Sequence, residues 1–349
     1  MAISMIFTSD NAFGVAAEIL EAIGRANEGA VPSYGEDEIT ARLQRRFAEL
    51  FEREVAVFPV ATGTAANALA LAALTPSHGA ILCHEQSHAH ADECGAPEMF
   101  TAGAKLIGVP GGEGKIDPEA LEAVLNSLPA GVVHHVQPAT LTVTQSTEAG
   151  TLYKADELAR LVALAHTRNL AVHMDGARFA NALAATGLTP AEMTWKAGID
   201  VLSFGATKNG ALAAEAVVFF DPGRAADFAF RRKRSGHLFS KMRFLSAQLE
   251  AYLADGLWLR NAAHANAMAA RLASGLRQLD GAALRFPVEA NEVFVRLPRG
   301  VLRRLRAAGA RFHPWPMAGD DGEAMTIRLV ASFATHESDV DRFLAVARG

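Results

Sequence analysis

Cysteine is nearly absent. Cys83 and Cys94 are the only two in 349 residues, which argues against a disulfide framework and fits a reducing compartment. Long apolar runs are missing too: none approaches the roughly 18 to 20 residues needed to cross a bilayer. The start "MAISMIFTSDNAFG" has no basic segment followed by an apolar core and does not read as a signal peptide. There is no excess of positive charge either. The 33 Lys+Arg against 38 Asp+Glu give a formal charge of −5, so no global field attracts nucleic acid or an acidic membrane. The one basic cluster, "RRKR" at 231–234, is too short to track a nucleic-acid backbone and reads as a solvated helix face or a local anion site. Internal repeats and low-complexity segments are lacking. What is left is a soluble, cytoplasmic globular protein with neither nucleic acid nor membrane as partner.

Hydrophobic residues make up 50% of the chain and charged residues 20%, enough to build a large core. The length exceeds the usual ceiling for one core and suggests two domains. From about residue 40, apolar runs of strand length alternate with helical stretches. "EVAVFPV", "GVVHHVQP", "LAVHMD" and "IDVLSF" read as buried strands, and "TAANALALAALT" and "KADELARLVALAHTRN" as helices. This alternation predicts an α/β fold, a mostly parallel sheet covered on both faces. After residue 252 the style changes. The long amphipathic "LWLRNAAHANAMAARLASGLRQL" precedes short strands "NEVFVRL" and "MTIRLVASF", and a last helix begins at Thr335 as N-cap. We expect a large domain over 1–252 and a smaller α+β domain over 253–349, with no Pro/Gly/Ser-rich linker between them.

Three polar features fall where open parallel sheets bind ligands, beyond the carboxyl ends of strands. In "ATGTAAN", Thr62-Gly63-Thr64 form the turn from a strand to a helix. Small residues let backbone N–H groups approach an anion, and a helix N-terminus favours it. The turn is a candidate phosphate cradle, although an ordinary strand-to-helix turn has the same composition. It lacks the lysine of a P-loop and the three-glycine dinucleotide pattern. In "AVHMDGARFANAL", Asp175 ends an apolar strand and is a candidate helix cap, a salt-bridge partner, or the holder of a protonated heteroaromatic nitrogen. In "SFGATKNG", Lys208 stands alone among small, uncharged residues. An incidental loop lysine fits there, and so does an amine that loses its proton in a poorly hydrated pocket and attacks a carbonyl. A phosphate cradle, a strand-end acid and an imine-capable lysine are together the contacts that pyridoxal phosphate requires.

"SDN", "SYGEDEIT", "ATGTAAN", "HMDGARFANAL" and "SFGATKNG", in this order, resemble the low-specificity L-threonine aldolases of the threonine aldolase and beta-eliminating lyase family, and the resemblance spans residues 5–347. The resemblance implies a fold-type I enzyme in which Lys208 carries the cofactor and Asp175 pairs with its pyridine nitrogen. It implies that His88, in "QSHAHADECGAPE", stacks on the ring. Ser9 and Arg178 match positions near the substrate carboxylate, Arg178 also bordering the cofactor. Arg328 matches the arginine that grips that carboxylate. Tyr34 and a residue of the basic cluster, Arg231 or Arg234, match positions that reach the phosphate of a neighbouring subunit. The implied assembly is a homo-oligomer, a dimer with shared sites or a tetramer.

Two departures matter. Where many members of the family carry a histidine after the central strand, this chain has "QSTEAG", which puts Glu148 there. A glycine-rich turn is replaced by "GHLFSKMRF". The implied reaction is retro-aldol cleavage of L-threonine, L-allo-threonine and related β-hydroxy-α-amino acids to glycine and an aldehyde. His88 ranks first as base for the β-hydroxyl, then Asp92 or Glu148. The same contacts would also serve β-elimination or transamination, and a non-catalytic protein could retain the fold.

Overall fold

The computed structural model describes residues 5–349. Seven strands form the main sheet: β1 (Ala56–Val60), β2 (Gly79–His84), β3 (Lys105–Val109), β4 (Gln137–Thr144), β5 (Ala171–Gly176), β6 (Val201–Gly205) and β7 (Glu215–Phe219). Their spatial order is β1-β7-β6-β5-β4-β2-β3. Every pairing is parallel except those of β7, which runs against both β1 and β6. β1 therefore points the same way as β6, and the carboxyl ends of β1, β4, β5 and β6 meet at one edge. The strands β2, β5, β6 and β7 are buried throughout, as continuous apolar runs covered on both faces must be. The helix Gly63–Leu74, almost wholly Ala and Leu, is buried from Ala65 to Ala72, because it lies in the core and not across its surface.

A four-stranded antiparallel sheet follows, ordered β10-β11-β9-β8 from β8 (Ala283–Leu284), β9 (Glu292–Pro298), β10 (His313–Pro314) and β11 (Ala324–Val330). The helix Leu257–Leu276 serves both cores: Trp258 and Ala262 pack in the first, Leu272 and Leu276 in the second. Met5 and Phe7 also belong to the second core, where Val330 N donates to Phe7 O at 3.0 Å.

Two local expectations are corrected. Only the last two residues of "GVVHHVQP" are strand: β4 begins at Gln137, and Val133 is 92% exposed. The apolar pair 132–133 has no covering element, and the buried strand is the Thr- and Val-rich run after it. The last helix is capped by His336, not Thr335. The Thr335 hydroxyl instead accepts from Ser332 N at 2.9 Å, which closes the preceding turn.

Candidate active site

β1 leads into Thr62, whose backbone is extended (φ −140°) and whose hydroxyl accepts from Ala65 N at 3.1 Å. This is an N-cap, and it leaves the first-turn amides of Gly63 and Thr64 directed past the helix end. A Cβ added to Gly63 would meet nothing within 4 Å, so the turn opens on space. The segment "GHLFSKMRF" borders it, since Ala61 N donates to His237 Nδ1 at 3.4 Å.

Asp175 ends β5 in register with Thr144 on one side and Ser203 on the other. Its Oδ1 accepts from Ala177 N at 3.0 Å and its Oδ2 from Asn67 Nδ2 at 2.7 Å. Both partners are neutral amides, so neither pairs a charge with the carboxylate. Beneath it, His173 lies 2.8 Å from Thr142 Oγ1 and 2.9 Å from Ser203 Oγ. Burial lowers the pKa of His173 to about 4, so it is a neutral tie across three strands. Gly205 is required where β6 ends: a Cβ there would sit 2.5 Å from Ala177 O.

Lys208 occupies the single turn Thr207–Asn209 that follows. Its neighbour Asn209 donates to Tyr252 Oη at 2.7 Å and to Trp258 O at 2.8 Å, and accepts from Asn261 at 2.9 Å. The backbone beside the lysine is thus clamped to the aromatic core while Lys208 enters the cavity. Glu215 Oε2 accepts from Ala206 N at 2.7 Å, and burial pushes its carboxyl up to about 7.

The cavity measures about 590 Å³ and brings together Thr62, Gly63, Thr64, His88, Glu148, Asp175, Arg178 and Lys208. Its size suits a cofactor with a small substrate. The donor set fits pyridoxal phosphate: free amides at a helix N-terminus for the phosphate, an acid for the ring nitrogen and an amine for the aldehyde carbon. Buried polar atoms without a partner, among them Asn67 Oδ1 and Glu148 Oε2, border the same space.

His88 starts the short helix His88–Ala91. Its N–H donates to Glu148 Oε1 at 2.8 Å, and its Nδ1 lies 2.9 Å from Glu93 Oε1. The Glu93 contact raises its pKa and leaves Nε2 as the free nitrogen. Glu148 also accepts from Thr144 Oγ1 at 3.0 Å. Burial first, and then the charge of Asp175, push Glu148 up to about 7.

A second chamber of about 670 Å³ adjoins the first and adds Ser9, Asp92 and Arg328. Asp92 is exposed there and does not reach the inner cavity. The Ser9 hydroxyl accepts from Asn11 N at 3.1 Å. Arg178 places its fork on Asp10 (Nε to Oδ2 2.8 Å, Nη2 to Oδ1 3.2 Å) and a third nitrogen 3.1 Å from Glu292 Oε2. Burial opposes the charge of Asp10, but Arg178 and then Lys208 hold its carboxyl below the usual range. Burial prevails at Glu292, whose pKa is raised despite Arg178 and Arg328. Arg328 is held more loosely. Its guanidinium lies 4.8 Å from the centre of the Trp315 ring and 4.0 Å from Glu292 Oε1, and its Nε is buried without a partner.

Tyr34, Arg231 and Arg234 line neither chamber. Tyr34 is 46% exposed, with Lys233 Nζ 4.8 Å from its ring centre, so the tyrosine and the basic helix Phe228–Arg234 share one surface. Arg232 is no solvated residue: it packs over Phe58 at 5.2 Å. Asp10, Asn67, Glu215 and Glu292 were not singled out from the sequence, and Glu93 only as one residue of the polar segment around His88. Asp10 and Asn67 lie within the quoted "SDN" and "ATGTAAN". A buried acid opening the apolar strand "EVFVRL" was the available signal for Glu292.

The family model for beta-eliminating lyases matches residues 7–298. The chain is 44% identical over 345 residues to the low-specificity L-threonine aldolase of a Pseudomonas species, covering 99% of this chain and 97% of that protein. It is likewise 44% identical over 342 residues to that of Pseudomonas aeruginosa, covering 98% and 96%. The solved threonine aldolase of Leishmania major superposes with a TM-score of 0.92 at 29% identity, covering 98% of each chain.

Proposed function

The chain belongs to the low-specificity L-threonine aldolases of the beta-eliminating lyase family, and we propose how its own residues divide the work of their reaction. The enzyme is a pyridoxal-phosphate-dependent lyase of fold type I that cleaves L-threonine to glycine and an aldehyde. L-Allo-threonine and related β-hydroxy-α-amino acids are taken by the same pocket. The observation that carries the residue assignment is the convergence of the helix N-terminus at 62–64, Asp175, His88 and Lys208 on one cavity.

Lys208 would hold pyridoxal phosphate through its amine, and the bound cofactor would supply an electron-poor ring to stabilise negative charge at Cα. The Gly63 and Thr64 amides and the Thr62 and Thr64 hydroxyls hold its phosphate, and Asp175 keeps its ring nitrogen protonated. Arg328, with an unpartnered Nε and room beside Trp315, grips the substrate carboxylate with Ser9. Arg178, fixed by Asp10 and Glu292, flanks the cofactor and closes that end. The 1–252 part thus holds the cofactor, and the 253–349 part supplies the arginine of the grip.

His88 is the base that takes the β-hydroxyl proton through Nε2, oriented by Glu93 behind it. The partnerless Oε2 of Glu148 supports a second reading, in which that carboxylate takes the proton directly or through water. Either base must be deprotonated to act. A group at about 7 is neutral below that pH and ionised above it, so kcat should rise through pH 7 if Glu148 is the base. His88, raised by Glu93, would give a rising limb above the ordinary histidine range. The pH profiles of His88→Ala and Glu148→Gln separate the two: the base is the residue whose removal abolishes the limb. Full activity in His88→Ala excludes the first reading. Pyruvate or another keto acid as the product of L-threonine-type substrates would favour β-elimination or transamination.

The enzyme works in the cytoplasm as a homo-oligomer, a dimer or tetramer with shared sites. Tyr34 with Arg231 or Arg234 reaches the neighbour's phosphate. The exposed Phe230 beside them, 75% accessible, supports a buried role in an assembly. Mixing Lys208→Ala with Arg231→Ala chains tests this, since hybrids regain one complete site only if sites are shared. No gain would exclude it for Arg231.

A further inference from the structure

Asn67 lies one turn into the helix Gly63–Leu74 and is 3% exposed. Its amide nitrogen is 2.9 Å from Glu93 Oε1 and 2.7 Å from Asp175 Oδ2. Ionised carboxylates only accept, so the nitrogen must face both acids, with one hydrogen committed to each. Glu93 Oε1 also meets His88 Nδ1 at 2.9 Å. The result is an unbroken chain from the part-exposed His88 through buried Glu93 and Asn67 to buried Asp175. Asn67 Oδ1 and Glu93 Oε2 are both buried without a partner. Such atoms cost free energy that an apolar side chain would avoid, so packing alone does not explain an amide at this position.

We propose that Asn67 is a positioning residue that couples His88 to Asp175, fixing the spacing and the shared electrostatic state of the side chain assigned to stack on the cofactor ring and the one assigned to pair with its nitrogen. The proposal rests on the reading of those two residues as ring contacts. The charged groups facing His88 are Glu93, Asp175 and Lys208, with Glu148 on its backbone N–H. Those facing Glu93 are His88 and Asp175. By donating to Glu93, Asn67 favours the ionised carboxylate, which in turn favours the protonated imidazole. Without it, buried Glu93 beside the charge of Asp175 keeps its proton, and His88 loses its counter-ion. Asn67 is thus expected to control a histidine that it does not touch.

The test follows the His88 imidazole by NMR in full-length protein, with pyridoxal phosphate bound and after its removal. The His88 signal is identified by its loss in His88→Gln. Asn67→Leu should lower the His88 titration by about half a pH unit or more, and Glu93→Gln should lower it too. The double variant should fall short of the sum of the two. In the holoenzyme the pH midpoint of the cofactor absorption band should move with Asn67→Leu. An unchanged His88 titration in folded Asn67→Leu, or full additivity in the double variant, overturns the proposal. Asn67→Ala is the alternative if the leucine variant does not fold. If wild-type protein retains no cofactor, the ring-contact reading fails, while the cofactor-free titration still decides the coupling.

Discussion

The two ends of the active-site cavity solve the problem of buried charge in opposite ways. At the cofactor end, Asp175 is held by a backbone amide and the Asn67 side chain, and it stands on a neutral hydrogen-bonded row, Thr142, His173 and Ser203. Neither of its holders is a cation. At the carboxylate end, opposite charges are already paired within the chain: Asp10 and Glu292 bracket Arg178, with Arg328 alongside. Neutral donors orient an acid without consuming its charge, whereas an internal ion pair stabilises its members and leaves less for a ligand. The cofactor end is therefore built for binding, and much of the other end for holding its shape, with Arg328 the exception.

The contrast can be broken at several points. The largest effect on stability belongs to Arg178→Leu, which strands two buried carboxylates. Unfolding free energy should fall by about 3–5 kcal/mol in a denaturant titration. Asp175→Asn should do the reverse. It keeps the shape and one of the two hydrogen bonds, so stability should fall by about 1–3 kcal/mol, less than in Arg178→Leu, while turnover falls on the order of 10²-fold or more. Equal losses of stability in the two variants would erase the distinction between the ends. Arg328→Lys is milder and keeps the charge but loses the planar fork. KM should rise about tenfold with a smaller change in kcat, and an unchanged KM would remove Arg328 from the carboxylate grip.

The same contrast explains what the sequence made legible. The cofactor end is local in character: a cap and small residues at 62–64, an acid closing an apolar strand, a lysine after the next strand. Each leaves a short-range pattern, and the topological rule for parallel sheets brings their strand ends to one edge. The carboxylate end joins Asp10, Arg178, Glu292 and Arg328 from distant segments and two sheets. No spacing rule predicts that Asp10 and Glu292 would saturate Arg178, because the contact exists only after the second sheet packs against the first. Asn67 was hidden differently. It stood inside a noticed segment, but its role depends on Glu93 and Asp175, which only the fold places on either side of it. The strand expected at 131–138 begins only at Gln137, because two adjacent valines carry a strand propensity that no covering layer uses.

The claim that organises all of this is that Lys208 carries the cofactor. Incubating the protein with pyridoxal phosphate, reducing with borohydride and mapping the labelled peptide tests it directly. The label should fall on the peptide containing "SFGATKNG", on Lys208 alone, and the reduced protein should no longer release aldehyde from L-threonine. A protein that stays colourless, or a label on any other lysine with Lys208 unmodified, would contradict it.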